Sequence, residues 1–193
     1  MIDMGKYEVC FLCGSQHLYG EETLIQVKQH AEVISQSLND SAHISIRIVF
    51  TELLTSPEEI YRSILQINAA ENCIGVIAWM HTFSPSKMWI RGLRALQKPL
   101  LHLHTQFNQE IPWSSIDMDF MNLNQSAHGG REFGFICSRL GIKRKVLSGH
   151  WKDEQLQKNL DKWCRVALAW EDSQQLKIAR LGDNMREVAV TEG

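Results

Sequence analysis

The chain has little of several features that define specialised protein classes. Its 193 residues contain no apolar run near the roughly 18 residues of a membrane span. The segment Met1 to Lys6 has no apolar signal-peptide core, so secretion is not predicted. Its 20 Lys and Arg residues against 22 Asp and Glu residues give a net charge of −2. This balance offers no electrostatic basis for binding nucleic acid or an anionic membrane, so neither is an expected partner.

Cysteine is also scarce, with five scattered residues. An odd, scattered set favours a reducing compartment, and hence a cytoplasmic location, over a disulfide framework. Cys10 and Cys13 form a C-x-x-C, but segment 7–13 has a strand pattern, in which this spacing puts the two sulfurs on opposite faces. A redox or metal-binding pair needs both sulfurs on one side of a turn. We therefore interpret both as small buried hydrophobes rather than as such a pair.

The remaining composition is that of an ordinary globular protein. Hydrophobic residues make up 44 % of the chain and charged residues 22 %. A chain of this length predicts one or two domains and can bury a full core without disulfides. The composition excludes a disordered tail and a collagen-like repeat.

Short apolar runs alternate with longer helical segments along the chain. This alternation is typical of βαβ units and predicts an α/β fold with a doubly wound, mainly parallel sheet and helices on both faces. The expected strands cover 7–13, 44–50, 73–80, 100–104 and 145–148. The expected helices cover 21–38, 126–140 and 152–170, with two more that begin at Ser56 and Ser84. Ser56 and Glu59 can form a capping box around Pro57, Ser126 can cap the later helix, and Gly141 can end it.

Polar and aromatic side chains follow three of the predicted strands. In a doubly wound sheet, ligands bind beyond the carboxyl ends of the strands. Strand 7–13 leads into Gln16, strand 73–80 into His81, and strand 100–104 ends at His104. We therefore expect these three residues to border one cleft. The loop 106–125 is longer than a plain connector needs, which also suggests a functional role.

The loop after the first strand does not have the sequence of a nucleotide-binding loop. It lacks the G-x-G-x-x-G pattern, and Glu21 and Glu22 stand at the start of the next helix. These carboxylates suit the positive end of the helix dipole but would repel a phosphate placed there. A neutral ligand rich in hydroxyl groups fits this loop better than a nucleotide or a flavin phosphate.

Two pairs of side chains have spacings that metal ligands can use. His102 and His104 share one face of a strand, and Asp117 and Asp119 form a D-x-D in the long loop. Neither pair comes with a third ligand at a motif spacing. We favour a hydrogen-bonded strand histidine and solvated loop acids over a metal site.

Glycines and aromatic residues leave further alternatives open. Gly129 and Gly130 follow His128 in the first turns of a helix, where they cost about 2 kcal/mol relative to alanine. They could serve close approach of a ligand or close packing on the sheet. Four aromatic residues are interpreted as core or interface residues rather than as a stacking platform: Trp79, Trp89, Trp113 and Phe120.

Five segments of the chain closely resemble the L-arabinose isomerase family, and the resemblance extends over essentially the whole chain. They are 14–20 (GSQHLYG), 81–85 (HTFSP), 104–108 (HTQFN), 116–134 (IDMDFMNLNQSAHGGREFG) and 182–191 (GDNMREVAVT). Members of the family are longer and have three domains. The resemblance implies a flavodoxin-like first domain over residues 1–175 and the start of a second α/β domain over 176–193. A strand is expected there at 176–181.

The resemblance also implies an activity. The family interconverts L-arabinose and L-ribulose, and D-galactose and D-tagatose, with Mn²⁺ as the cofactor. Its metal ligands, two Glu and two His, and its catalytic carboxylates lie in the later domains. The chain alone is therefore expected to bind no Mn²⁺ and to be inactive.

Six residues match positions that contact the sugar in the family: Gln16, Leu18, Phe83, Gln125, His128 and Met185. By resemblance, the first two line the site of their own subunit, and the next three reach into a neighbouring subunit's site in a homo-oligomer. The sixth borders the sugar. Amides, an imidazole and apolar walls suit a polyol.

Three hypotheses follow for the function of the chain. The first is the N-terminal part of an L-arabinose isomerase, which supplies sugar contacts and subunit contacts. The alternative is a non-catalytic sugar-binding or oligomerisation module. A flavodoxin-like redox protein is a third, for which the purified chain would be yellow, whereas we expect it to be colourless. Without its partner strands, segment 176–193 is expected to cause poor solubility or self-association, or to be highly mobile in a monomer, with low order from Asp183 onward.

Overall fold

A computed structural model describes residues 3–179 and 181–182. Its sheet has five strands, all paired in parallel, in the order β2-β1-β3-β4-β5. The strands are β1 (Glu8–Gly14), β2 (Arg47–Leu54), β3 (Cys73–Met80), β4 (Leu100–His104) and β5 (Lys145–Ser148). This is the flavodoxin-like strand order. The predicted α/β, doubly wound, parallel fold is therefore confirmed.

Helices cover both faces of this sheet. They are α1 (Gly20–Asn39), α2 (Pro57–Ala69), α3 (Ile90–Ala95), α4 (Met118–Leu123), α5 (Ser126–Arg139) and α6 (Glu154–Gln174). One core cluster joins β1 and β3 to α1 and α6, through residues such as Ile34 and Leu160. The other joins the opposite face to α2, α3 and α5, through residues such as Ile64, Leu93 and Phe133. No helix of the described residues is long and apolar enough to cross a bilayer.

The first strand explains the C-x-x-C. Cys10 packs in one core cluster and Cys13 in the other, so the two sulfurs lie on opposite faces of the sheet as predicted. All five cysteines are buried and free of disulfides. The central strand β3 is buried along its whole length, as expected of a strand covered on both faces.

The predicted start of α2 and end of α5 are confirmed. The Glu59 backbone N–H donates to Ser56 Oγ at 3.3 Å, and the Ser56 N–H donates to the Glu59 carboxylate at 3.1 Å. Pro57 occupies the first position of the helix, where its missing N–H removes no helical bond. Gly141 follows α5 with φ +68°, a conformation that glycine adopts without strain.

The prediction that Ser126 caps α5 is wrong. Gln125 precedes the helix and makes no side-chain cap, while Ser126 lies in the first turn. The Ser126 hydroxyl instead donates to the His81 carbonyl oxygen at 3.4 Å. It therefore ties α5 to the end of β3.

Two predicted segments begin later than expected. The second strand runs over Arg47–Leu54 rather than 44–50, because the Ser45 backbone N–H donates to Asp161 on α6 at 2.8 Å. The helix expected from Ser84 begins as a 3-10 turn at Ser86–Trp89 and continues as α3. The Ser84 hydroxyl accepts from the Trp89 indole N–H at 3.0 Å.

The strand predicted at 176–181 is not formed in the part of it that the structure describes. Leu176, Lys177, Ile178 and Ala179 have no regular secondary structure. The side chains of Leu176, Ile178 and Leu181 are 65 %, 83 % and 98 % exposed. Met185, and the expectation of low order from Asp183 onward, lie outside the described residues.

Candidate functional site

The loops that follow β1 and β3 are joined at the carboxyl edge of the sheet. Ser15 follows β1 and Thr82 follows β3, and their buried hydroxyl groups form a hydrogen bond of 2.7 Å. The next residues, Gln16 and Phe83, are both half-buried. The chain winds in opposite directions from β1 and from β3, so this edge is the topological switch point, where such sheets bind their ligands.

Phe83 and His128 are in direct contact at this edge of the sheet. Their rings stack with centroids 4.4 Å apart and planes 23° apart. Gln125 lies just before the helix that carries His128, and its amide donates to Asn122 Oδ1 at 3.2 Å. The structure therefore places Phe83 against His128, with Gln125 three residues before His128 at the start of the same helix.

Two glycines of α5 allow this arrangement. A Cβ atom on Gly129 would lie 2.8 Å from the Thr82 carbonyl oxygen, and one on Gly130 would lie 2.6 Å from His104 Cε1. Both distances are too short for a real contact, so α5 can approach the ends of β3 and β4 only where side chains are missing. Of the two alternatives left open by the sequence, the structure supports close packing on the sheet.

Leu18 lies on a different part of the same edge. Its side chain is 85 % exposed and lines a cavity of about 720 Å³ between the start of α1 and α4. Glu21, Glu22 and Asp119 line the same cavity. The two glutamates occupy the first turn of α1, as predicted, so the charged groups beside the first loop are carboxylates. This negative charge repels a phosphate but does not repel a neutral ligand.

We expected Gln16, His81 and His104 to border one cleft, and the structure does not place His81 and His104 in the same cavity. His104 lines a cavity of about 460 Å³ together with Gln106 and His150. His81, in contrast, is fully buried beneath the edge. It supports the site from below rather than facing a ligand.

His81 belongs to a stack of rings under the site. It stacks on Trp79 with centroids 4.5 Å apart, and its Nε2 lies 2.7 Å from His30 Nδ1 on α1. His30 in turn stacks on Phe107 at 3.6 Å. Burial lowers the pKa of His81 to about 3, with a further contribution from His30, and burial also lowers the pKa of His30. Both rings are therefore neutral at physiological pH, which lets one donate and the other accept.

The sequence analysis missed His30. The only signal for it is its position next to Ala31 in the buried stripe of α1, which also contains Val27 and Ile34. A second contact that was not predicted links β3 to the residue after β4, where the Trp79 indole N–H donates to the Thr105 carbonyl oxygen at 3.0 Å.

The four aromatic residues interpreted as core or interface divide between core and surface. Trp79 and Trp89 are fully buried, at 0 % and 1 % exposure, and form part of the two core clusters. Trp113 is 78 % exposed in the long loop. Phe120, on α4, lines the cavity beside Leu18.

The two pairs with metal-ligand spacing, His102 with His104 and Asp117 with Asp119, lie in different environments. His102 is fully buried beside His104, and its two ring nitrogens have no hydrogen-bond partner among the described residues, so it is not the hydrogen-bonded histidine we expected. Burial, then His104 and Arg144, lower its pKa to about 3. Asp117 caps α4, where its carboxylate accepts from the Phe120 N–H at 2.8 Å.

The described residues offer no group of side chains for the Mn²⁺ that the family uses. Within residues 3–179 and 181–182, no three side chains of His, Cys, Asp or Glu lie close enough together to hold a metal ion. The donor set of two Glu and two His is therefore not found in this part of the fold.

Taken together, these features define an α/β protein with a polar and aromatic site at the switch point of a parallel sheet. Residues 3–175 match the family model of the L-arabinose isomerase N-terminal domain. The chain therefore belongs to the L-arabinose isomerase family and corresponds to the N-terminal part of its members.

Individual relatives agree with this assignment. Over all 193 residues, the chain is 62 % identical to the L-arabinose isomerases of Herpetosiphon aurantiacus and Flavobacterium johnsoniae, of which it covers 38 %. It is 60 % identical to the L-arabinose isomerase of Geobacillus stearothermophilus, of which it covers 39 %. The chain thus spans about two fifths of the length of these relatives.

Proposed function

We propose that this chain supplies sugar contacts and subunit contacts to an L-arabinose isomerase, which converts L-arabinose to L-ribulose. The observation that carries the proposal is the stack of Phe83 on His128, held beside the first loop by the Ser15–Thr82 hydrogen bond. An imidazole can donate to or accept from a sugar hydroxyl, while a phenyl ring packs on the C–H face of the sugar. Gln16 and Gln125 add amide groups, and Leu18 and Met185 are proposed as apolar contacts.

Exposed apolar side chains support a role in subunit contacts. Leu18 is 85 % exposed, Trp113 is 78 % exposed and Met118 is 69 % exposed. Large apolar side chains in neighbouring surface segments are typical of surfaces that another protein covers. In the proposed homo-oligomer, Phe83, Gln125 and His128 complete the site of a neighbouring subunit.

The chemical step belongs to other parts of the proposed enzyme. Mn²⁺ would supply polarisation of the sugar oxygens there, and the residues described here bind and orient the sugar. The chain alone is therefore proposed to form no ketose, with or without added Mn²⁺. Five buried free thiols are in keeping with a cytoplasmic location.

A chimeric enzyme tests this function. The 193 residues replace the matching segment of the Geobacillus stearothermophilus relative, to which they are 60 % identical. The chimera is expected to convert L-arabinose to L-ribulose. Phe83→Ala and His128→Ala in the chimera should each raise the KM about 5-fold, because a lost aromatic contact is worth about 1 kcal/mol.

His43→Ala provides the matched control. His43 is another partly exposed histidine, and its Nε2 lies 3.7 Å from the carboxylate of Glu154, the first residue of α6. Its replacement should leave the KM unchanged. A chimera whose KM responds equally to all three substitutions, or to none, would contradict the proposal, as would ketose formation by the chain alone.

The alternative function, a sugar-binding or oligomerisation module, makes a different prediction for the purified chain. Calorimetry would then detect L-arabinose binding, or gel filtration would show a defined oligomer, while the chimera would be inactive.

A further inference from the structure

Two cysteines from different strands meet at the amino-terminal edge of the sheet. Cys10 lies near the start of β1, and Cys73 is the first residue of β3. Their sulfur atoms are 3.1 Å apart. This contact is independent of the C-x-x-C, whose second member, Cys13, faces the other core cluster.

The strand register explains why these sulfurs meet. Glu8 is paired with Cys73, and Cys10 lies two residues beyond Glu8 on the same face of β1. Cys10 and Cys73 are therefore diagonal neighbours on one face of the sheet. The register shifts between Glu8 and Val9, which leaves Ile74 as an extra residue in β3 and alters the local twist.

Cys10 is the only one of the five cysteines with any exposure to solvent. It is 7 % exposed, whereas the other four, Cys73 included, are 0 % exposed. Solvent therefore has an opening to the pair only on the Cys10 side. Cys137, in the same core cluster, is a buried thiol with no such opening.

The environment also favours loss of one proton from the pair. The Cys73 thiol donates to the Cys10 sulfur, and this shared contact lowers the pKa of Cys73 because one proton can serve both sulfur atoms. The same shared bond raises the pKa of Cys10, and burial raises it further. Lys98, whose side chain is itself buried against Glu171, adds a favourable charge near Cys73. One thiolate beside one thiol is the arrangement that thiol oxidation requires.

We propose that Cys10 and Cys73 form an oxidation site, at which hydrogen peroxide closes the two thiols into an intrachain disulfide between β1 and β3. The Cys73 thiolate attacks the peroxide, the O–O bond breaks, and Cys73 becomes a sulfenic acid while the released hydroxide takes up a proton to form water. The Cys10 sulfur then displaces the sulfenic hydroxyl group, which leaves as a second water with the Cys10 proton. Two thiols lose two electrons and the peroxide gains them.

Closure needs a movement of the sulfur atoms and of the main chain. The sulfur atoms must approach by about 1 Å to reach the bond length of about 2.05 Å. Diagonal neighbours on paired strands have Cα atoms about 7–8 Å apart, whereas a disulfide usually spans about 4.4–6.8 Å, so the strands must also shift locally, at the irregular register between Glu8 and Val9. The proposed bond lies at the sheet edge opposite Phe83 and His128, so it is expected to leave that site unchanged.

Thiol counting on the whole chain tests the proposal. The reduced protein is treated with hydrogen peroxide, unfolded, alkylated and weighed by mass spectrometry. We expect three of the five thiols to remain alkylable, a monomer that is lighter by two hydrogen atoms before alkylation, and a peptide map that joins Cys10 to Cys73. A thiol reductant should restore all five.

Three variants serve as controls. After the same peroxide dose, Cys10→Ala and Cys73→Ala should each keep all four of their thiols alkylable. Cys137→Ala should lose two of its four alkylable thiols, as the unmodified chain loses two of its five. The peptide map of the unmodified chain tests the proposal even if a variant fails to fold. Five alkylable thiols after peroxide treatment, a map that joins any other pair, or oxidation of Cys10 to a sulfinic acid without a disulfide would overturn the proposal.

Discussion

Replacing Gly129 by alanine tests how closely α5 must approach the sheet. The added Cβ would lie 2.8 Å from the Thr82 carbonyl oxygen and 3.0 Å from Met80 Cβ. Both atoms belong to the end of β3, where the main chain cannot shift without disturbing the sheet. Overpacking of this kind costs about 1–3 kcal/mol, and the higher helix propensity of alanine returns at most about 1 kcal/mol. We expect Gly129→Ala to lower the free energy of unfolding by about 1–2 kcal/mol.

Gly134, on the same helix, provides a matched comparison. A Cβ atom there would also lie 2.8 Å from a neighbour, but that neighbour is Nη2 of Arg144, the far end of a flexible side chain. The guanidinium group can move aside at little cost. Gly134→Ala should therefore leave the stability unchanged or raise it by up to about 1 kcal/mol.

Urea unfolding followed by circular dichroism separates the two cases. The midpoint should fall for Gly129→Ala at constant m-value and stay or rise for Gly134→Ala. In thermal unfolding, Gly129→Ala should lose about 2–8 °C, at roughly 2–4 °C per kcal/mol for a domain of this size. If Gly129→Ala is at least as stable as Gly134→Ala, then the carbonyl of Thr82 does not limit the approach of α5, and our account of the site is wrong.

Three further predictions concern the rest of the fold. The pKa values of about 3 for His81 and His102 lie below the ordinary value of about 6.5, so below pH 6.5 the unfolded chain binds protons that the folded chain does not. Stability is full above that pH and should fall by about 2 kcal/mol per histidine between pH 7 and pH 5; equal urea midpoints at the two pH values would contradict this. Ser56→Ala should cost about 1 kcal/mol through loss of the cap of α2, and an unchanged urea midpoint would count against the capping box. Three exposed apolar residues near the end of the described chain are Leu176, Ile178 and Leu181. Replacing them by serine should reduce self-association in analytical ultracentrifugation, and unchanged association would show that another surface is responsible.

The sequence predicted those elements best whose signals are local. Strands β3, β4 and β5 have the predicted bounds, because each is a short run flanked by helix-ending or turn residues. The start of α2 was predicted because a serine, a proline and a glutamate in the first turn satisfy the free N–H groups of a helix by themselves. In contrast, the start of β2 depends on Asp161, which is 116 residues from Ser45 and cannot be identified from local pattern.

The position of the candidate site was predictable, but its internal contacts were not. Parallel strands all end at the same edge of a sheet, so polar residues after β1, β3 and β4 had to lie near one another. Which loops touch depends on the strand order, which places β1 beside β3. The hydrogen bond between Ser15 and Thr82, and the burial of His81 against His30, follow from that order and from the packing of α1.

The buried layer under the site limits the ligands that the edge can hold. His81 and His30 keep their hydrogen bond while at least one of the two rings is neutral, because two protonated rings would each donate and neither would accept. An anion seated above this pair would favour protonation of rings that burial keeps neutral. Glu21 and Glu22 add negative charge to the first loop of the same edge. A neutral polyol disturbs neither feature, which supports a sugar as the proposed ligand of Phe83 and His128.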